Sequence, residues 1–135
     1  MKYLLLLQRG AGEDLPEFGT PEATAMVSAW TSATDAMRAA GVLIDCAPLA
    51  SASAATTVRV RDGQTLLTDG PAAELKEQVG GYTLMECADL DEAIKWAASL
   101  PAAAAASVEI RPVLSPRGPD PTAPRTPDPA PRTPN

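Results

Sequence analysis

The chain has 135 residues, and eight of its fourteen prolines fall within the last 21 positions. This shift in composition predicts one globular domain at residues 1–114, followed by a disordered, proline-rich tail at residues 115–135. The 17 acidic and 11 basic residues leave a net charge of −6. Such an acidic chain lacks the phosphate-neutralising surface of a nucleic-acid-binding protein, and an anionic membrane surface would repel it.

Histidine is absent from the whole chain. Ser–His–Asp and Cys–His catalytic systems, His-ligated metals and histidine pH switches are therefore excluded. Any acid–base chemistry must use carboxylates, lysine, tyrosine or cysteine, and we expect neither a metal nor a cofactor. Cys46 and Cys87 lack CxxC spacing, which is typical of buried free thiols rather than of a disulfide or a redox pair.

The amino-terminal apolar run is too short for a secretion signal or for a membrane span. Four leucines follow Tyr3, and polar residues return at Gln8. The run instead suits a buried central strand at residues 2–8. These features predict a soluble, cytoplasmic protein.

A long helix and a second strand follow. Thr20 and Pro21 predict the helix start, because threonine caps a helix and proline favours its first turn. One apolar stripe at helical spacing comes next, before the expected stop at Gly41: Met26, Trp30, Ala33 and Met37. The β-branched run at residues 42–46 predicts the next strand.

A β-hairpin is the strongest pattern in the second half of the domain. Residues 56–61 alternate between polar and apolar side chains, and Asp62-Gly63 separates them from a second run at residues 64–68. An Asp-Gly pair between two such runs favours a two-residue hairpin turn.

A strand, a helix and a last strand complete the domain. The strand is expected at residues 82–87. Asp89 and Glu92 form a capping box at the start of a helix, which Pro101 ends. Residues 108–111 alternate as the final strand. The resulting order predicts an α+β, ferredoxin-like fold in which two helices cover one face of an antiparallel sheet.

The sheet face away from the helices carries charged side chains. Strand alternation places Arg59, Arg61, Glu109 and Arg111 opposite the valines and the isoleucine of the same strands. Two helices cover only one face of a single sheet. Two interpretations of the other face stay open: a solvated surface, or a polar cleft closed by a second copy of the chain.

Seven sequence features recur in a fixed order across residues 1–114. They are Trp30, RAAGV at 38–42, TTVRVRDG at 56–63, TDGP at 68–71, ELKEQVGGY at 74–82, DLDEA at 89–93 and VEIRPV at 108–113. Together they resemble the YCII-related, DGPF-domain family. The resemblance implies a ferredoxin-like subunit that pairs sheet to sheet into a dimeric α+β barrel, a fold shared with YciI-like proteins and muconolactone isomerases. Some members of the family are described beside extracytoplasmic-function sigma factors, which implies a regulatory role for those members.

The chain departs from the family pattern at several positions. Ala72 replaces the phenylalanine of the DGPF motif, and without histidine the His–Asp pair associated with the YciI-like branch cannot form. Ala33 and Ala47 stand where the resemblance implies an aromatic residue and a carboxylate. Alanine at such positions either enlarges a pocket for a different ligand or accompanies a loss of function, and both interpretations stay open.

Two carboxylates are the predicted catalytic residues. Asp69 belongs to an Asp-Gly-Pro turn, so a structural role in the turn and a role as acid–base group both stay open. Asp45 lies in an apolar strand, where an unpaired carboxylate would be costly. We expect it to pair with Arg59 or Arg61 and to form an anion or enolate site with that arginine.

Five residues are predicted to bind the ligand: Arg59, Arg61, Arg111, Glu77 and Trp30. Each has a plainer interpretation as well. The arginines suit a solvated sheet face, Glu77 belongs to a polar run of the kind that usually faces water, and Trp30 lies on the apolar helix stripe with Met37.

The sequence leaves two functions open. In the first, a homodimer binds a small organic, anionic ligand and acts either as a binding protein or as a cofactor-free isomerase, cyclase or lyase. A carboxylate would then move a proton and an arginine would stabilise the oxyanion. In the second, the chain is a non-catalytic regulatory or interaction module, for example one linked to an extracytoplasmic-function sigma factor.

Overall fold

A computed structural model of the chain describes residues 1–10 and 15–114. The predicted tail at residues 115–135 lies outside this range. The elements, in chain order, are β1 (Lys2–Gly10), α1 (Pro21–Ala39), β2 (Leu43–Pro48), a 3₁₀ turn (Ala52–Ala54), β3 (Thr56–Arg61), β4 (Gln64–Asp69), β5 (Glu77–Glu86), α2 (Leu90–Ser99), α3 (Pro101–Ala105) and β6 (Val108–Pro112). Within the described ranges, no helix combines the length and the apolar character needed to cross a membrane.

Four strands form the main sheet in the order β2–β5–β1–β6, and all neighbours are antiparallel. The connection from β1 to β2 runs through α1, and that from β5 to β6 runs through α2 and α3. This is the split βαβ arrangement of a ferredoxin-like fold, so the predicted α+β class is confirmed. Strands β3 and β4 pair with each other and form a separate two-stranded sheet.

The two long helices begin at the residues that the sequence predicts. The Thr20 side chain accepts a hydrogen bond of 3.2 Å from the Ala23 amide, and α1 starts at the following proline. The Asp89 carboxylate accepts 2.9 Å from the Glu92 amide at the start of α2. Gly41 follows the end of α1 with φ +73°, a left-handed conformation that glycine adopts without strain.

The predicted hairpin is confirmed. Asp62 and Gly63 have φ of 52° and 75°, the two positive angles of a type I′ turn, whose twist matches that of the flanking strands. Val58 pairs with Leu67 across the hairpin, and their side chains are 58% and 68% exposed. The hairpin therefore presents an apolar surface that the described residues leave uncovered.

Strand β5 begins at Glu77, five residues before the predicted start. Gly80 and Gly81, which precede the predicted strand, lie inside the observed one. A Cβ at Gly81 would lie 3.0 Å from the Ala47 carbonyl oxygen, so a side chain there would require the neighbouring strand to shift. The strand start was wrong because a glycine pair resembles a loop until its pairing partners are known.

The core lies between the helices and one face of the main sheet. Tyr3, Leu5 and Leu7 alternate along β1 and are buried against both long helices and the sheet. The predicted stripe of α1 is only partly confirmed. Met37 is fully buried, whereas Met26 is 38% exposed. The exposed half of the stripe borders a cavity instead of packing directly on the sheet.

Candidate functional site

The open face of the main sheet carries two rows of side chains that cross all four strands. In strand register, the first row is Asp45, Leu84, Leu4 and Arg111, and the second is Ala47, Tyr82, Leu6 and Glu109. Register partners share one face of an antiparallel sheet, and strands lie about 4.8 Å apart. The backbones of Asp45 and Arg111 are therefore about 14 Å apart, with two leucines between them.

Asp45 and Tyr82 form the most direct polar contact on this face. The Tyr82 hydroxyl donates a hydrogen bond of 2.8 Å to Asp45 Oδ2, and the Cys46 amide donates one of 2.9 Å to Oδ1. The hydrogen bond to Asp45 raises the pKa of Tyr82, and burial adds to the shift. The phenol therefore stays protonated at neutral pH and remains a donor to the carboxylate.

The expectation that Asp45 pairs with Arg59 or Arg61 was wrong within one chain. Among the described residues, the ion pairs are Arg38 with Asp35 and Arg111 with Glu109. Asp45 is also exposed rather than buried, because β2 is an edge strand of the main sheet. A phenol and a backbone amide satisfy this carboxylate instead of a guanidinium.

Arg111 lies at the opposite edge of the open face, on β6. Its Nη1 atom is 3.4 Å from Glu109 Oε2, and both side chains are exposed. An ion pair of this kind contributes little to stability, about 0–1 kcal/mol, because water screens it. The Arg111 guanidinium therefore gives up little if it turns to bind a ligand.

Arg59 and Arg61 belong to the β3–β4 hairpin and not to the main sheet. Arg59 is half-buried, and the exposed Arg61 donates 2.9 Å to the Val60 carbonyl through Nη1. The predicted cluster of these arginines with Arg111 on neighbouring strands is not formed within one chain. Among the six strands that the structure describes, β3 pairs with β4 alone, so it adds no row to the face that holds Arg111.

Asp69 ends strand β4 and borders an open groove. The groove is also lined by Glu74, Lys76 and Gln78. Gly70 has φ +93°, and its carbonyl accepts 2.7 Å from the Thr57 hydroxyl, so the turn geometry expected for the Asp-Gly-Pro segment is present. The Asp69 side chain is exposed.

Glu77 is the first residue of β5. Its Oε2 atom accepts 2.6 Å from the Ser107 hydroxyl, which lies just before β6. The Glu77 side chain is exposed, as the plainer interpretation of its polar run predicts. Glu77 pairs with Gly10 at the far end of β1, so it lies beyond the end of the two rows on the open face, where its contact joins β5 to the segment before β6.

Trp30 lies on the helix side of the main sheet. It is half-buried, packs against the core and lines a cavity of about 300 Å³ with Leu7, Arg9 and Met26. The structure thus separates the predicted ligand-binding residues, with Arg111 on the open face of the main sheet and Trp30 on its helix side. Sequence reasoning missed Tyr82 and Arg9, although strand alternation already places Tyr82 on the same face as Leu84.

Comparison with known proteins supports the family indicated by the spaced motifs. The family model for the YCII-related domain matches residues 1–117. The chain belongs to the YCII-related domain family. An uncharacterised protein from Rhizobium meliloti (strain 1021) is 45% identical to it over 76 residues, which cover 55% of this chain and 61% of that protein. The match thus spans less than two thirds of the curated relative.

The thiols of this YCII-related domain lie at two levels of burial. Cys46 is half-buried and Cys87 is buried, and both are free. Burial raises the pKa of both thiols. Among residues 1–10 and 15–114, no three His, Cys, Asp or Glu side chains are grouped so that they could hold a metal ion.

Proposed function

We propose that this YCII-related domain binds a small anionic or enolate-like ligand on its open sheet face, in a cleft closed by a second copy of the chain. The observation that carries the proposal is the 2.8 Å hydrogen bond between Tyr82 and Asp45 beside an apolar row that ends in Arg111. Across the sheet, a carboxylate is followed by an apolar surface and then by a guanidinium. This order suits a ligand with an acidic proton, an apolar body and a negative charge.

A second subunit is part of the proposal because leucines occupy the centre of the open face. Leu4, Leu6 and Leu84 are half-buried in a single chain, and no third layer of the described residues covers them. Two sheets that pack face to face bury such side chains about 10 Å apart and leave the edges of each sheet polar. A cleft between the two sheets would keep water away from the leucines and let a ligand lie across them, between the polar ends of the row.

The chemistry proposed for the cleft is a proton transfer to Asp45. Tyr82 and the Cys46 amide each donate to one oxygen of this carboxylate, which orients it, and its remaining lone pairs can accept a proton from the ligand. Arg111 would hold the anionic group of the ligand across Leu4 and Leu84. This charge-assisted hydrogen bond would replace the weak surface ion pair between Arg111 and Glu109.

The experiment is a thermal-shift titration of the full chain with a panel of carboxylates and phenolates. We expect saturable stabilisation by at least one anion, and about ten-fold weaker binding in Arg111→Gln, because a charge-assisted contact contributes roughly 1.5–3 kcal/mol. Arg38→Gln is the matched control, since Arg38 is also exposed and ion-paired but lies on α1.

The proton transfer is tested separately, by exchange of the ligand's carbon-bound acidic proton for deuterium from heavy water. Asp45→Asn should abolish the exchange, and Tyr82→Phe should slow it while the fold is retained. If no anion stabilises the wild-type chain, the proposed binding function fails and the regulatory alternative replaces it. If an anion binds but Asp45→Asn leaves the exchange unchanged, the chain binds the ligand without the proposed chemistry.

A further inference from the structure

The cavity beside Trp30 lies on the opposite side of the main sheet from Asp45 and Tyr82. It has a volume of about 300 Å³ and is bounded by the end of β1, the glycine pair of β5, the first half of α1 and the short helix α3. This volume is at the lower end of the roughly 300–1,000 Å³ typical of small-molecule pockets. A space of this size accommodates one ring with a short side chain, since a cavity of about 150 Å³ already binds benzene.

Small residues on facing elements keep the cavity open. Gly80 and Gly81 form its sheet side, and Ala102, Ala105 and Ala106 form its α3 side. Met26 and Val27 line it from α1 and stay 38% and 58% exposed, although both lie on or beside the apolar stripe of that helix. The apolar side chains of α1 therefore face an unfilled space where the core would otherwise continue.

Two side chains give the cavity chemical character. Trp30 lines the cavity from α1 with an aromatic ring, and Arg9 lines it from the end of β1 with a positive charge. Arg9 is half-buried and packs across Gly80, where a Cβ would lie 3.0 Å from its guanidinium carbon. Its Nη2 atom donates 3.0 Å to the Gly80 carbonyl, which holds the guanidinium at the cavity.

The guanidinium retains donors for a ligand. The arginine side chain carries five N–H groups. Among the described residues, Arg9 donates to the Gly80 carbonyl and forms no ion pair. A planar guanidinium favours the two oxygens of a carboxylate, which it can bind through two parallel hydrogen bonds. An apolar space with an aromatic wall favours a ring.

We propose that this cavity is a second binding site, which takes a small aromatic carboxylic acid with its ring beside Trp30 and its carboxylate on Arg9. The site is independent of the open sheet face, since the sheet itself separates the two. Its ligand enters from the helix side, and binding requires neither Asp45 nor Tyr82.

The test uses phenylacetate, with uncharged phenylacetamide as the matched probe. Trp96→Phe leaves Trp30 as the one tryptophan of the chain, so its fluorescence reports on the cavity. We expect saturable quenching or a spectral shift with phenylacetate and about ten-fold weaker binding of the amide. Arg9→Gln should remove that preference, and Arg9→Lys should retain part of it.

Two alanines of α3 supply a matched pair of variants. Ala104 and Ala105 are adjacent and exposed, but only Ala105 lines the cavity. Ala105→Leu should weaken binding of both probes by taking up part of the space, whereas Ala104→Leu should leave binding unchanged, with circular dichroism confirming that both variants fold. Arg111→Gln, which should weaken binding at the open face, should leave the Trp30 response to phenylacetate unchanged, which separates the two sites.

Three outcomes would overturn the proposal. The first is the absence of any response to phenylacetate in the Trp96→Phe chain. The second is equal affinity for the acid and the amide, which would show that Arg9 does not select a carboxylate. The third is unchanged binding in a folded Ala105→Leu variant, which would place the probe elsewhere on the molecule.

Discussion

Asp45 and Arg111 stand at the two ends of one row of side chains on the open sheet face, with Leu84 and Leu4 between them. The row exists because three strand pairs are in register. A slip of one residue in any of these strands would turn its member of the row toward the core. The relation between this carboxylate and this guanidinium is therefore a property of strand pairing.

The first prediction concerns the assembly state. We expect the full chain to scatter light as a homodimer, with twice the 14.0 kDa mass of one chain. Leu84→Glu should yield a monomer, because it places a charge at the apolar centre of the open face. Ala36→Glu, on the exposed side of α1, should remain a dimer. A wild-type chain that is monomeric at tens of micromolar would contradict this interface.

The second prediction concerns the titration of Tyr82. The chain has two tyrosines, so Tyr3→Phe isolates the Tyr82 phenolate in near-ultraviolet absorbance. Because the hydrogen bond to Asp45 raises the pKa of Tyr82 above its ordinary value of 10.0, Asp45→Asn should lower the titration midpoint. An unchanged midpoint would show that the hydrogen bond does not persist in solution.

The same shift has a consequence for stability at high pH. A phenol whose pKa is raised on folding contributes stability that is complete below its unfolded pKa and is lost as pH rises through its folded pKa. The free energy of unfolding should therefore fall more steeply above about pH 10 in the wild type than in Tyr82→Phe. Denaturant titrations at several pH values measure this slope, and parallel slopes for the two proteins would argue against the shift.

The third prediction compares two methionines of one helix. Met37→Ala should lower the free energy of unfolding by about 2–5 kcal/mol, because Met37 is fully buried and its removal leaves a cavity. Met26→Ala should lower it by less than about 1 kcal/mol, because that side chain is already 38% exposed. Equal losses in urea titrations would mean that the first half of α1 packs as tightly as the second.

The fourth prediction concerns the thiols. Burial raises the pKa of Cys87, and its side chain is 8% exposed, so little reactive thiolate reaches solvent. Iodoacetamide at neutral pH should modify Cys46 before Cys87, and Cys87 should react fully only after denaturation. Mass spectrometry of peptides from a time course measures the order. Rapid labelling of Cys87 in the native chain would show that this part of the core opens.

The positions of several local features were predictable because their causes lie within a few residues. Thr20 caps a helix by binding an amide three positions later, and Asp89 does the same. The turn at Asp62-Gly63 requires two positive φ angles, which this pair of residues adopts readily. Each of these interactions is complete within one turn of the backbone, so the amino-acid order is sufficient to place it.

Features that depend on distant partners were predicted less well. The start of β5 was missed because Gly80 and Gly81 belong to a strand only through their neighbours in the sheet. Asp45 was assigned an arginine partner, although a tyrosine that is distant in sequence lies closer in space. Trp30 was grouped with the barrel ligand site, yet the sheet lies between its cavity and the open face.

The order of the long elements, the family and the lack of histidine chemistry could all be read from the amino-acid order, because composition and local backbone preferences do not depend on the final packing. Which side chains share a face depends instead on how the strands pair and pack. Strand order separated the hairpin arginines from Arg111 and joined Asp45 to Tyr82. The packing of α1 left a cavity beside Trp30. These arrangements depend on register and on the distance between layers, which are set when the whole chain packs together.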